Sequence, residues 1–481
     1  MKHVLETIKK HNQKILLAAL LLLAAFFMFY GYDLALTDYD EATYAQVIQH
    51  SLNSGNYLSF VRGASYWFEK PPLYFWQAFV TVKMFGLTEF ALRLPSIICG
   101  ILGVYFTYLL AKKLSGRFWT GFIAGLILIL TGVWAYATTQ VRMDVPVSAS
   151  ILAAVYFFVL AWENPRAFVY SGIAIAMGVL YKNLIGFLAL PIFLILAITY
   201  KKWCWLKQDW FWFGMVVMLV VILPWHIYES MLFGHDFWDV YLGYHVLQRF
   251  AAPLSNITTF GYIKYLFYVL EPWIIVFPIA VVLFFWRLKK NPLESKTALS
   301  SLFIVIFLFS FFAVSRTKLF NYLMPLYPFL AIFLAEMGTL FYNSLKTVTQ
   351  KDWLKVSFAT LAIIGIINLL WQKVYLRHGI TLEYQIAEEE KKVGLYLKNH
   401  PTPKHTFFFK WIWPETIRYY SEREIGNISE GDPMEAYGQF IIVPYGLWTQ
   451  ESPPQAEFTA RARLIYRGNT IEMYELSPVE Q

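Results

Sequence analysis

Long apolar runs, each near the ~20 residues that a bilayer-crossing helix requires, alternate with short polar breaks as far as about residue 371, and the breaks are of two kinds. Every second one is plainly basic: Ala111-Lys112-Lys113, Lys201-Lys202, Arg287-Leu288-Lys289-Lys290, and Lys346 to Lys355. Loops rich in Lys and Arg mark the cytoplasmic side of a membrane protein. The breaks between them hold mixed sets: Asp38-Tyr39-Asp40-Glu41, Phe68-Glu69-Lys70-Pro71-Pro72, Arg142-Met143-Asp144, Tyr181-Lys182-Asn183, His245 with Arg249, and Arg316-Thr317-Lys318 with Tyr322. Carboxylates, cations and a histidine gathered at one membrane face predict an active site there.

With 58% hydrophobic and only 15% charged residues, the chain reads as an α-helical polytopic membrane protein. Its net charge of +8 is accounted for by the basic anchors, and no basic stripe with stacking aromatics accompanies it, so no nucleic-acid partner is expected. Cys99 and Cys204 fall in or beside expected spans, which argues against a structural disulfide.

Spans are expected at about 15–35, 92–111, 118–136, 145–162, 167–181, 184–200, 210–227, 266–286, 298–314, 322–341 and 354–372. Starting inside, about eleven spans place the N-terminus and the basic loops in the cytoplasm, and the C-terminal portion on the opposite side. The first outer loop, 36–91, carries its own helices: one from Asp40 to Leu52, capped by Thr37 or Asp38 and stopped at Asn53-Ser54-Gly55, and one opened by Pro71-Pro72 and ended at Gly86. The second is too short to cross a bilayer and, with Tyr74, Phe75, Trp76, Phe79 and Phe85, is expected in the interface. Two domains follow: a transmembrane domain, 1–371, and a small extracytoplasmic α/β domain, 372–481. In the latter Ile386 to Asn399 reads as an amphipathic helix, His405 to Lys410 and Gln439 to Pro444 as strands, and Leu464 to Leu476 as a hairpin turning at Gly468-Asn469.

Asp40 and Glu41 begin a helix, where negative charge is favoured, yet with Asp38 they exceed what one cap needs; a carboxylate just outside a span can orient or deprotonate an acceptor hydroxyl. The Pro-Pro pair holds Glu69 and Lys70 extended, and a lysine so placed can bind phosphate as a point charge. Arg142 with Asp144 reads equally as a surface ion pair. Lys182, Arg316 and Lys318 lie on the outer side against the positive-inside trend, which points to an anionic ligand. His245 with Glu69 is a candidate site for a divalent metal, zinc or manganese/magnesium, since imidazole and carboxylate suit such ions. P-loop, dinucleotide, HExxH and GxSxG motifs are absent from the sequence, so nucleotide-driven transport and serine hydrolysis have no support.

Asp40-Glu41-x-x-Tyr44-Ala45, Phe68-Glu69-Lys70-Pro71-Pro72-Leu73-Tyr74, Arg142-x-Asp144, Tyr244-His245-Val246-Leu247-Gln248-Arg249-Phe250 and Lys318-Leu319-x-x-Tyr322-x-x-Pro325, in this order across residues 30–335, resemble the GT-C glycosyltransferases of the aminoarabinose lipid A transferase and protein O-mannosyltransferase group. The resemblance implies an inverting hexosyl- or pentosyltransferase of the cell inner membrane. Its donor would be a polyprenyl-phosphate-linked sugar, such as an undecaprenyl phosphate one, and its acceptor lipid A, a related glycolipid or a protein. It further implies Asp40, with Asp144 and Glu41, as the acidic residues at the reaction centre, Lys70, Lys182, Arg249, Lys318 and Tyr322 around the donor phosphate, and Glu69 with His245 as a metal-binding pair. The family's Arg three residues after the first Asp is Thr43 here, which leaves sugar and acceptor open. The alternative is a secondary transporter or lipid-linked-sugar flippase, which would place charges at the membrane midplane on broken helices and show two related halves.

Overall fold

The computed structural model describes residues 2–37, 39–252, 258–270, 273–290, 295–348, 383–400, 405–409, 415–428, 439–445 and 456–477. Asp38 and the expected span 354–372 lie outside them. Among the described residues five helical runs are long and apolar enough to cross a membrane: His11–Met28, Glu89–Ser115, Ala167–Tyr200, Asp209–Phe233 and Lys296–Val314. A sixth is reached if Phe118–Leu130 and Gly132–Thr138, bent by 69° at Thr131, count as one span. The chain is therefore a bundle of several apolar helices, as its periodicity predicts.

The run Ala167–Tyr200, 34 residues, would be about 51 Å long as a straight helix, well beyond the ~30 Å hydrocarbon core. It breaks at Asn183, where φ is +40°. Beyond the break the chain folds back: a Cβ on Gly186 would lie 2.2 Å from the Val179 amide nitrogen and 2.4 Å from the Gly178 carbonyl carbon. Residues eight apart in a continuous helix stand about 12 Å apart, so the run is two arms, Ala167–Lys182 and Ala189–Tyr200, in line with the two short spans expected from sequence. The first arm packs on Asp209–Phe233 and the second on Lys296–Val314 and Asp144–Leu160. The reversal leaves Lys182 at the tip.

The loop after the first helix folds as expected in outline. Helix Asp40–Ser54 ends at Gly55 with φ +72°. The residue ahead of the helix, Tyr39, caps nothing with its side chain, and Thr37, one of the two expected caps, donates its hydroxyl to Glu41 Oε2 (3.1 Å). A short hairpin, β1 (Val61–Arg62) and β2 (Ser65–Tyr66), precedes helix Leu73–Phe85. That helix does more than lie in the interface. Tyr74 and Phe75 are fully buried, and Tyr74 Oη donates to the Leu92 carbonyl (3.0 Å), so one face belongs to the core while Phe85 stays exposed.

The C-terminal portion forms a helix over 383–399 and a five-stranded mixed sheet. With β3 (Thr406–Phe409), β4 (Ile425–Ile428), β5 (Phe440–Pro444), β6 (Ala462–Arg467) and β7 (Ile471–Leu476), the order is β4-β3-β5-β7-β6. β3 runs parallel to β4 and β5, while β7 is antiparallel to β5 and β6. Val393, Leu397, Phe408, Ile442 and Met473 form a core between helix and sheet. The hairpin turns at Gly468-Asn469 as expected, and its tip is held by Glu389, which accepts from the amides of Asn469 (2.7 Å) and Thr470 (2.8 Å).

Candidate active site

Asp40 and Glu41 are neighbours in the first turn of one helix, and the structure separates their work. Glu41 is fully buried. Its carboxylate accepts from Arg93 Nε (2.8 Å) and Nη2 (2.9 Å), from the Thr37 amide (2.8 Å) and from the Val141 amide (2.8 Å). A carboxylate so occupied has no lone pair left for a substrate. Glu41, expected among the acidic residues of the reaction centre, instead fastens the first loop to helix Glu89–Ser115 and to the segment before Asp144.

Asp40 turns the other way. Its side chain is 35% exposed and its Oδ2 lies 3.8 Å from Arg142 Nη1. Burial alone would raise its carboxyl, but Arg142, then Lys70, Lys182 and Arg249, hold it below the ordinary carboxylate range. Lys70 is buried, with Nζ 4.0 Å from Glu69 Oε2 and 5.9 Å from the Tyr44 ring centre. Burial, reinforced by Arg249 and Lys182 and opposed by Glu69 and Asp40, pushes its ammonium down to about 8. Asp144 starts helix Asp144–Leu160, where it pairs with Lys182 and accepts from Asn321 Nδ2 (3.2 Å). Lys182 also stands 5.2 Å over the Tyr322 ring. A crevice lined by Asp144, Lys182, Ile185, Phe312, Asn321, Tyr322 and Pro325 opens there.

His245 lies in a π-helical segment, Asp239–Gln248, where sequence suggests a long loop. Such wide turns cluster at functional sites. Its Nε2 is 3.4 Å from Glu69 Oε2, and the ring is 4% exposed. Burial, then Lys70 and Arg249, push the imidazole down to about 2, so it is neutral at pH 7 and the contact is no ion pair. The separation is close to the ~3.4 Å edge of a tetrahedron built on zinc bonds of ~2.0–2.2 Å, and a neutral imidazole is the metal-binding form. Among the described residues no group of three or more His, Cys, Asp or Glu surrounds one point; the pair fits a divalent ion only as two of its ligands.

Arg249 follows on the same helical stretch, its guanidinium 5.7 Å from the Tyr244 ring. Its carbonyl accepts from the Thr317 amide (3.1 Å), tying the 249–252 turn to the 315–318 strap, where Lys318 is buried and donates to the Ser315 carbonyl (2.7 Å). Asp40, Glu69, Lys70, Asp144, Lys182, His245, Arg249 and Tyr322 thus converge, Lys318 lies on the strap bonded to Arg249, and Glu41 stands apart. Four cations, Lys70, Arg142, Lys182 and Arg249, act on Asp40, against the three carboxylates Asp40, Glu69 and Asp144. Arg142 Nε and Arg249 Nε are buried with no hydrogen-bond partner among the described residues. Asn321 beside Asp144 was not singled out from sequence, although it stands one residue before Tyr322. Arg142 and Tyr44 stood in the motifs, but not as the partner of Asp40 and the ring beneath Lys70.

A family model described as dolichyl-phosphate-mannose-protein mannosyltransferase matches residues 69–228. The chain is 31% identical over 326 residues to undecaprenyl phosphate-alpha-4-amino-4-deoxy-L-arabinose arabinosyl transferase 1 of Pseudomonas fluorescens, covering 63% of this chain and 54% of that one. It is 27% identical over 365 residues to the corresponding transferase of Shewanella sediminis, covering 72% and 64%. These matches span between about half and two thirds of the relatives' lengths. Among solved structures the fold is similar to that of ArnT from Cupriavidus metallidurans bound to undecaprenyl phosphate (TM-score 0.69, 18% identity, 95% of this chain and 97% of that one). It is also similar to that of the archaeal oligosaccharyltransferase AglB from Archaeoglobus fulgidus (TM-score 0.55, 12% identity, 89% and 69%).

Proposed function

We propose, from the chain's similarity to glycosyltransferases of the aminoarabinose lipid A transferase and protein O-mannosyltransferase group, that it moves a sugar from a polyprenyl-phosphate donor to an envelope acceptor. The observation that carries this reading is the pair of buried guanidinium nitrogens, on Arg142 and Arg249, that lack acceptors among the described residues, inside a cluster richer in cations than in carboxylates. Leaving a buried charged donor unsatisfied costs about 1–3 kcal/mol or more, and a phosphate oxygen would satisfy it.

In this reading Lys70, Lys182 and Arg249 hold the donor phosphate, with Lys318 and Tyr322 bordering it. As the glycosidic bond breaks, negative charge grows on that phosphate, and fixed cations in a partly dry site stabilise it. Asp40, ionised throughout the physiological range, orients the acceptor hydroxyl and takes its proton late, because a carboxylate held low is a weak base. A single displacement opposite the leaving phosphate inverts the anomeric carbon. Asp144 fixes Lys182. A divalent ion on Glu69 and His245, when bound, would offset charge on the leaving group. The site would face away from the cytoplasm, with about eleven spans in all and the C-terminal portion, 372–481, as a separate extracytoplasmic domain. The sugar, hexosyl or pentosyl, and the acceptor, glycolipid or protein, are the variables of this scheme.

Native mass spectrometry of the purified protein with a C55 polyprenyl phosphate tests it. Binding should weaken tenfold or more in Lys70→Ala and in Arg249→Ala; equal binding by both variants and wild type would overturn the assignment. Metal analysis of the same preparations should find a divalent ion in wild type that is lost in Glu69→Gln/His245→Ala. Equal metal content in the two would remove the metal from the scheme.

A further inference from the structure

Residues Gly31 to Thr37, between the first helix and Asp40, form no helix or strand, so their backbone polar groups must find partners elsewhere. From the membrane side Arg93 Nη1 donates to the carbonyls of Tyr32 (3.2 Å) and Leu34 (2.5 Å), and Nη2 to that of Ala35 (3.0 Å). From the other side the C-terminal portion takes what is left. The Ala35 amide donates to Glu388 Oε1 (2.8 Å), and the Leu36 amide to Tyr420 Oη (3.1 Å). The Leu36 carbonyl accepts from Thr416 Oγ1 (3.2 Å). Tyr420 Oη is itself aimed by donating to Glu89 Oε1 (2.8 Å). Beyond Asp40 the grip repeats: Gln46 Nε2 donates to the Glu415 carbonyl (2.8 Å) and to its Oε2 (2.9 Å). Ala35 and Leu36 are fully buried. Among the described residues Asp40 itself has one ion-pair contact, at 3.8 Å, so its place is set by the backbone that carries it.

We propose that the C-terminal helix-and-sheet portion positions Asp40, with Glu388 and Tyr420 as its positioning residues on the strap 31–37; this rests on the reading of Asp40 as the reaction-centre carboxylate. Neither residue touches substrate in this scheme. Each fixes a backbone amide four or five residues upstream of Asp40, and displacements of about 1 Å at a reacting group cost up to ~10²-fold in rate.

The test compares Glu388→Ala/Tyr420→Phe with wild type, each also in an Asp40→Asn background, reading kcat for sugar transfer and Kd for polyprenyl phosphate. The double variant should lose about tenfold or more in kcat and keep its Kd within about twofold. It should cost nothing further once Asp40 is Asn. Glu388→Gln, which keeps the accepting oxygen, should restore most of the rate lost in Glu388→Ala. If the double variant does not purify, the isosteric Tyr420→Phe alone carries the same comparison. An unchanged kcat, or an equal loss in both backgrounds, overturns the proposal. Wild-type turnover by Asp40→Asn alone fells the reading beneath it instead, and is told apart because the strap is then intact.

Discussion

Lys70 faces Asp40 as a buried cation. With its ammonium near 8 rather than 10.5, it is charged at neutral pH and discharges within reach of ordinary buffers. Polyprenyl phosphate is a monoester already doubly ionised above about pH 6, so the pH dependence of its binding between pH 7 and 9 belongs to the lysine. Affinity should fall about tenfold by pH 9, and Lys70→Arg, which cannot discharge, should stay flat. A wild type as flat as the arginine variant contradicts the placement of Lys70 at the phosphate. The fold runs the opposite way: burial disfavours the charged form, so the folded pKa lies below the unfolded one. The ligand-free protein therefore gains stability as pH rises from about 8 toward 10.5. At this scale the candidate site was largely legible, since Asp40 and Lys182 stand close to span ends and Lys70 and His245 in short motifs of the outer loops. The role of Glu41 was not, because its partner Arg93 lies 52 residues away inside a span, and nothing local distinguishes it from Asp40.

Elements were legible where periodicity or turn residues mark them, as at Gly55, Gly86 and Gly468-Asn469. They were less so where tertiary contacts decide. The interfacial reading of Leu73–Phe85 followed from its length and aromatic content, but its buried face answers to Leu92 in the next helix. The π-helical turn around His245 carries no sequence mark of its own. Ala167–Lys182 crosses Asp209–Phe233 closely, with Gly172 and Gly214 backbone to backbone. A Cβ on Gly214 would stand 2.4 Å from the Phe168 carbonyl oxygen. Overpacking of this kind costs about 1–3 kcal/mol. Gly214→Ala should therefore lower the thermal midpoint in detergent, whereas Gly338→Ala, which meets nothing within 4 Å, should not. Equal midpoints would mean that the two helices sit further apart than described.

For the whole molecule, charge sorting was the most informative signal, and the structure keeps the two kinds of break apart. Glu89, at one end of its 27-residue helix, pairs with Lys391 of the C-terminal portion (2.6 Å), while Lys113, at the other end, pairs with Glu163 (2.5 Å). Cys204 is exposed beside Lys201 and Lys202, and Cys99 is buried, so the native chain carries its own reporter for the basic side. An impermeant thiol reagent added to intact cells should label Ser65→Cys on the exposed strand β2 and leave Cys204 unlabelled until the membrane is opened. The reverse pattern contradicts the orientation. The total number of spans was legible from hydropathy only as an expectation, because 354–372 lies outside the described residues. The central claim is a transfer reaction, and the most direct measurement is turnover by the purified protein of a polyprenyl-phosphate-linked sugar in the presence of envelope lipid and protein acceptors, followed by mass spectrometry. Wild type should convert the donor to free polyprenyl phosphate with the sugar mass added to an acceptor, and Asp40→Asn should be slower by about 10²-fold. Donor that stays intact with every acceptor fraction, or equal turnover by Asp40→Asn, would contradict the account.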